Sequence, residues 1–286
     1  MPKFSAPAKI NLTLEVLARR DDGYHGIRSV MVPLALADEL AIEPSDAFSF
    51  SCDVLELAGE ENLVVRAARE LGSPPFAVSL RKQIPTQAGL GGGSSDAAAL
   101  LRAAMSGALG QRGEVDWLAT ARRLGSDVPF FLAGTGALVE GSGERVTPLG
   151  AMPPWHALVV TPPVSVPTAV AYTELDRVPR SSRPRAESVS IAMVEALQRS
   201  DFTAVESGLY NDFAGVVAAR LPEISAAVGA LREAGAANPM LAGSGSSVFA
   251  LARHSAELDE IVARLTLPPA FRRFVTAFAS TPDWQT

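Results

Sequence analysis

Between residues 85 and 106 the chain reads PTQAGLGGGSSDAAALLRAAMS, a run that leaves few folding choices. Glycines 89, 91, 92 and 93 remove Cβ atoms where the backbone must turn tightly, and the alanine- and leucine-rich stretch after them predicts a helix beginning near Ser95 and Asp96. Such a helix points its unpaired amide groups and the positive end of its dipole at the glycine loop. Loop and helix together make an anion site, and Ser94 and Ser95 add hydroxyls able to reach a phosphate or its magnesium. The spacing matches neither the P-loop nor the dinucleotide fingerprint GxGxxG, because position 94 is serine. Taken alone, the run also fits a plain chain reversal with Asp96 as an ordinary first-turn acid.

The flanking segments alternate between strand and helix signals without a strict βα repeat, which predicts an α+β fold. Residues 10–16 place Ile10, Leu12, Leu14 and Val16 on one face and Asn11, Thr13 and Glu15 on the other, the period of a half-buried strand with Lys9 on its polar side. DDGYHG (21–26) reads as a turn into a second strand, IRSVMVPLAL. Asn62 caps a helix through about Leu71, and FAVSLRKQI (76–84) is a strand ending at Pro85. The proline-rich AMPPW (151–155) is the seam between a first half, 1–150, and a second, 151–286. The second half reads as a strand, helices near 167–175, 187–199, 201–209 and 222–234, the loop LAGSGSS (241–247), a strand, a helix over 255–265 and a last strand, with RVPRSSRPR (177–185) as a solvated loop.

Composition excludes several classes. A net charge of −6 gives no electrostatic footprint for nucleic acid. The single cysteine, Cys52, reads as a small buried hydrophobe, and the three histidines lack metal-ligand spacing. The N-terminus shows no secretory pattern and no apolar run is long enough to span a bilayer, so a cytoplasmic protein is expected. Nothing in the chain fixes an oligomeric state. Of 25 basic residues only Lys3, Lys9 and Lys82 are lysines, which singles out the interior ones, since a compact ammonium and a broad guanidinium are not interchangeable.

Four segments, in order, resemble the motifs of the GHMP kinases: APAKINLTLEVLARRDDGYH, PTQAGLGGGSSDAAA, LGSDVPFFLAGTGALVEGSGE and LAGSGSSVFAL. The triple glycine with SSDAA, and DGYH, are similar to the branch acting on a cytidyl diphosphate sugar-alcohol. The resemblance implies a two-domain kinase with its active site in the cleft between an N-terminal domain (1–150) and a C-terminal one (151–286), using ATP accompanied by Mg2+. Relatives acting on simpler alcohols, such as mevalonate or homoserine, and a non-catalytic nucleotide sensor on the same fold stand as alternatives.

On this resemblance Lys9 and Asp127 take the catalytic positions; Ser126 or Asp127 also reads as the cap of the helix holding VPFFL, a role that can coexist with catalysis. The ATP side comprises Leu63, Lys82, Pro85, Thr86, Gln87, Ala88, Gly89, Leu90, Gly91, Gly92, Gly93, Ser94 and Ser95. For Leu63 and Lys82 a helix-core leucine and an exposed lysine fit the pattern as well. Substrate positions are Asn11, Tyr24, His25, Tyr172, Gly243, Ser244 and Gly245, with cytosine meeting Tyr24, His25 and Tyr172. A tyrosine and histidine in a turn also serve as cover for a sheet. No metal-ligating residue is assigned beyond the Ser95 hydroxyl.

Overall fold

The computed structural model describes residues 2–20, 23, 25–72, 75–110, 114–178 and 188–279. Two sheets organise it. The first is built on two long antiparallel strands, β1 (Lys3–Arg19) and β2 (His25–Pro44), flanked by β3 (Ser49–Cys52) and β4 (Phe76–Arg81) on one end of β2 and by β5 (Ala137–Gly141) and β6 (Arg145–Pro148) on the other. The second runs β11 (Arg272–Ala277), β7 (His156–Thr161), β10 (Val248–Ala252) and β9 (Met240–Leu241). Helices α1 (Leu63–Glu70), α2 (Gly92–Met105), α3 (Trp117–Leu124) and α4 (Val128–Ala133) lie in the first half. The second half carries α5 (Thr168–Asp176), α6 (Val189–Gln198), α7 (Phe202–Ser207), α8 (Ala214–Arg220), α9 (Pro222–Glu233) and α10 (Ser255–Arg264). A two-residue strand, β8 (Tyr210–Asn211), leaves the second half and pairs in parallel with β1 at Thr13 and Leu14.

Strand β1 departs from the half-buried reading. Its pairing with β2 slips between Pro7 and Lys9 and again between Asn11 and Thr13. The first slip sets three residues of β2 against Ala8 alone and the second leaves Leu12 with no residue opposite, and the even-numbered side chains change core along the strand. Phe4 and Ala6 join the larger core, Ala8, Ile10 and Leu12 the second, and Leu14 and Val16 return to the first. The polar side is covered as well: Lys9, Asn11, Thr13 and Glu15 are all buried. Each fully buried leucine or isoleucine here contributes about 1.5–3 kcal/mol, which makes the slips affordable only because both faces find apolar partners.

Helix α1 begins as expected, with the Asn62 side chain accepting from the Val64 amide at 2.9 Å. Helix α2 does not. It starts at Gly92, three residues before Ser95, with Gly91 in the left-handed region as its cap (φ +73°). Glycine's poor helix propensity argues for keeping these residues in a loop, but packing overrides it. A Cβ at position 92 would lie 3.1 Å from Ile84, 3.3 Å from Lys82 Nζ and 3.4 Å from Asp38.

The two glycine loops meet at one point. Gly89 sits at φ +78°, and a Cβ there would run into the Ala242 carbonyl. The Ser247 amide donates to the Ala88 carbonyl at 3.1 Å across the same contact. Gly89→Ala should therefore lower the unfolding free energy, measured by urea denaturation, by roughly 1–3 kcal/mol through overpacking. Gly107→Ala, with φ +81° and nothing within 4 Å, carries the backbone strain alone. Equal losses in the two variants would show that the loop contact contributes nothing.

Candidate active site

Lys9 emerges from β1 immediately after the first bulge. Its amide donates to the Leu90 carbonyl at 2.9 Å, and its Nζ donates to Asn11 Oδ1 at 2.7 Å and lies 3.8 Å from Asp127 Oδ2. Asn11 passes the chain on, donating to Ser29 Oγ at 2.8 Å, and Ser29 donates to the Thr13 carbonyl at 2.6 Å. Burial pulls the Lys9 pKa below the ordinary lysine value, and the Asp127 carboxylate works against that pull. Both glycine loops close on this side chain. A Cβ on Gly91 would lie 3.1 Å from Lys9 Cγ, and one on Gly243 would lie 3.1 Å from its Nζ.

Asp127 stands at the N-cap of α4, yet its side chain makes no capping hydrogen bond. The capping reading of Asp127 is thereby removed. Its carboxylate instead remains a quarter exposed beside the lysine. Tyr172 on α5 is near enough to feel it: burial, reinforced by the Asp127 charge, pushes the Tyr172 hydroxyl up to about 12. Tyr172 stacks on His25, the first residue of β2, with centroids 5.3 Å apart. Lys9, Asp127, Tyr172 and His25 therefore form one neighbourhood. Tyr24 lies outside the described residues.

The anion cradle lies on the other side of Lys9. The first bond of α2 runs from the Ser95 amide to the Gly91 carbonyl at 2.9 Å, so the amides of Gly92, Gly93 and Ser94 precede the helical ladder. Pro85, Ala88 and Leu90 are buried beneath the loop, while Thr86 and Gln87 are exposed at its outer edge. Leu63 opens α1 and reaches within 3.8 Å of where a Gly93 Cβ would be. Ser95 Oγ is buried with no hydrogen-bond partner, so an oxyanion or a cation bound with one would satisfy it. In the opposing loop, Ser244 exchanges a hydrogen bond with Thr168 at 3.1 Å, and Gly243 and Gly245 both adopt positive φ.

Lys82 is not an exposed lysine. Its ammonium is buried under Gly92, donating to Asp38 and, at 2.7 Å, to Asp96 Oδ2. Asp38 also accepts from the amides of Gln83 and Ile84. Burial alone would lower the lysine, but the two carboxylates outweigh it and raise its pKa. Asp96 moves furthest: burial pushes its carboxyl up to about 8, Lys82 opposing and Asp38 adding to the rise. Asp38 and Asp96 were not among the residues singled out from sequence. The available signal was the scarcity of lysine, because an interior ammonium needs acidic partners. Asn211 was missed too, although it ties the far loop to β1 by donating to the carbonyls of Leu241 at 2.8 Å and Gly243 at 2.7 Å. Among the described residues no group of three His, Cys, Asp or Glu side chains is assembled to hold a metal.

A glycine cradle on a helix N-terminus, closed by a second glycine loop around a buried lysine and a carboxylate, is the layout of a small-molecule kinase of the GHMP class. The description "GHMP kinases N terminal domain" matches residues 62–135 and "GHMP kinases C terminal" matches 193–268. The 4-diphosphocytidyl-2-C-methyl-D-erythritol kinase of Deinococcus radiodurans is 39% identical, over 91% of this chain and 87% of its own length. That of Thermus thermophilus is 42% identical, over 86% of each. A crystal structure of a 4-(cytidine 5'-diphospho)-2C-methyl-D-erythritol kinase superposes with a TM-score of 0.78 at 36% identity, covering 97% of this chain and 99% of that one. Homoserine kinase from Cytophaga hutchinsonii shares the fold, with a TM-score of 0.70 at 20% identity. The chain belongs to the 4-diphosphocytidyl-2-C-methyl-D-erythritol kinase family of the GHMP kinases.

The Asp96 value has a consequence for stability. A carboxyl raised from the ordinary range to about 8 binds its proton more tightly folded than unfolded. Its contribution is complete below about pH 4 and is lost as the pH rises through about 8. Asp96→Asn keeps an acceptor for Lys82 and cannot titrate, so the fall in melting temperature between pH 5 and 8.5 should be shallower than in the parent. Identical profiles would show that Asp96 is ionised throughout.

Proposed function

We propose that the chain transfers the γ-phosphoryl group of ATP to the 2-hydroxyl of 4-diphosphocytidyl-2-C-methyl-D-erythritol, a step of non-mevalonate isoprenoid precursor synthesis. The observation that carries it is the Lys9–Asp127 pair at 3.8 Å, set between the glycine cradle and the Tyr172–His25 stack. ATP supplies the phosphoryl group, and the Ser95 hydroxyl, buried with no hydrogen-bond partner, is the group of this chain that would hold a magnesium ion, which would neutralise phosphate charge. The amides of Gly92, Gly93 and Ser94 hold the phosphates. Asp127 orients the hydroxyl and accepts its proton as the oxygen–phosphorus bond forms and the bond to the leaving ADP oxygen breaks. Lys9 stabilises the charge spread over the transferring group. Asn11 fixes the Lys9 ammonium and touches the methylerythritol hydroxyls, while Leu63 packs on adenine. Gly243, Ser244 and Gly245 support the phosphates from the opposing loop.

The division into domains 1–150 and 151–286 belongs to the same reading, supported by the two family matches falling on either side of residue 150. No single helix among the described residues is long and apolar enough to cross a membrane, which is compatible with a cytoplasmic site of action. Phosphorylation of the cytidyl substrate, assayed against mevalonate and homoserine, tests the assignment. Turnover of either simpler alcohol in preference to the cytidyl compound would overturn it.

Lys9→Ala should keep its fold and its ATP affinity and lose most turnover, because the charge acts in the transition state. Asp127→Asn should melt with the parent, since no cap is lost, and drop in kcat by roughly 10²–10⁴. The remaining activity carries a second signature. Without Asp127 the opposite charge that counters the downward pull of burial on Lys9 is lost, so the alkaline limb of the pH–rate profile should move to lower pH. A kcat within a few-fold of the parent would end the base assignment.

A further inference from the structure

The His25 imidazole is held on two sides by one helix. Its ring lies nearly parallel to Tyr172, 17° between planes, and Tyr172 rests edge-on against Phe213 at 4.9 Å. Its Nε2 is 2.9 Å from Oδ1 of Asp176, the last residue of α5. Tyr172 and Asp176 are four residues apart, so they share a face of α5. The neighbouring described cations Arg177 and Arg220 both pair with Glu174 rather than with Asp176, at 2.9 and 2.5 Å. The histidine side chain is 7% exposed, and among the described residues no hydrogen bond reaches its Nδ1.

A neutral imidazole carries one N–H. When a carboxylate accepts from Nε2–H, that tautomer is selected and Nδ1 is left with a lone pair. We propose that Asp176 is a positioning residue that makes Nδ1 of His25 a hydrogen-bond acceptor, and thereby selects a substrate whose pyrimidine carries an exocyclic amine over one with a carbonyl in its place. Cytosine offers an N–H at that position. Uracil offers a lone pair, which leaves both acceptors unpaired. The inference rests on the function proposed above, because it concerns the nucleobase of that substrate.

The test compares the cytidyl substrate with its uridyl counterpart in the parent, Asp176→Ala, Asp176→Asn, His25→Ala and the double variant His25→Ala/Asp176→Ala. Asp176→Ala should cut the cytidyl-over-uridyl preference in kcat/KM about tenfold, the loss of one hydrogen bond, mainly through KM for the cytidyl substrate and with KM for ATP unchanged. Asp176→Asn, whose amide oxygen still accepts from Nε2–H, should restore part of the preference. In the His25→Ala background, removing Asp176 should have no further effect. An unchanged preference, or the same loss with His25 absent, overturns the proposal. Nitrogen NMR of the free protein reads the tautomer without any substrate. The parent should show His25 as Nε2–H, identified by its disappearance in His25→Ala, and Asp176→Ala should show a mixture. If the parent phosphorylates neither compound, the proposed function fails by itself; an imidazole whose tautomer ignores Asp176 sinks this inference whatever the kinetics.

Discussion

A buried ammonium is the constraint around which this protein is arranged. Lys9 has almost no contact with water, and an isolated charge in that position would lose its proton rather than remain. Three features keep it in place. Asn11 accepts a hydrogen bond from it, Asp127 supplies opposite charge, and the two glycine loops approach so closely that any side chain on Gly91 or Gly243 would touch it. The bulge between Pro7 and Lys9 is part of the same solution. Beyond the slip, Lys9 lies on the opposite side of β1 from Ala8, Ile10 and Leu12, which fill the second core.

The scaffold follows from this. Lys9 belongs to a strand of the first sheet, Asp127 to the start of α4, and Gly243 to the loop preceding β10 of the second sheet. Bringing them together requires the chain to cross between its halves, and β8 does so: it pairs with β1, while Asn211 bonds the carbonyls of Leu241 and Gly243. The backbone contacts from Ser247 to Ala88 and from Lys9 to Leu90 complete a small continuous unit of strand and two loops. A site assembled from rigid backbone contacts holds its charge in one place, as electrostatic stabilisation of a transition state demands.

Local chemistry made much of this legible in the sequence, and non-local contacts hid the rest. The Asn62 cap, the start of β4 at Phe76 and most helices of the second half depend on neighbours within a few residues, and they stand close to where periodicity and capping put them, although β4 stops at Arg81 rather than at Pro85. The start of α2 was misplaced because helix propensity favours alanine over glycine, whereas contact with Ile84, Lys82 and Asp38 decides the matter. The two slips in β1 have no local mark. Neither does the burial of its polar side, which depends on helices far along the chain, such as α6, where Ser190 meets Thr13 at 2.8 Å. The resemblance singled out Lys82, but the carboxylates around it lie 44 residues upstream and 14 downstream.

Those carboxylates also resolve a difficulty in the anion site. An acidic residue in the first turn of a helix is favourable because it answers the positive end of the dipole, but here that end must stay available for phosphate. With α2 starting at Gly92, its first turn holds no acidic residue, and Asp96 stands in the second, where a carboxylate turned outward would still lie close to the anion site. The structure directs the carboxyl inward to Lys82, where burial raises its pKa to about 8. Asp38 accepts from Lys82 as well and is held in turn by two backbone amides. Gly92 is the residue that lets the helix and this cluster meet, since a side chain there would press on both Lys82 and Asp38.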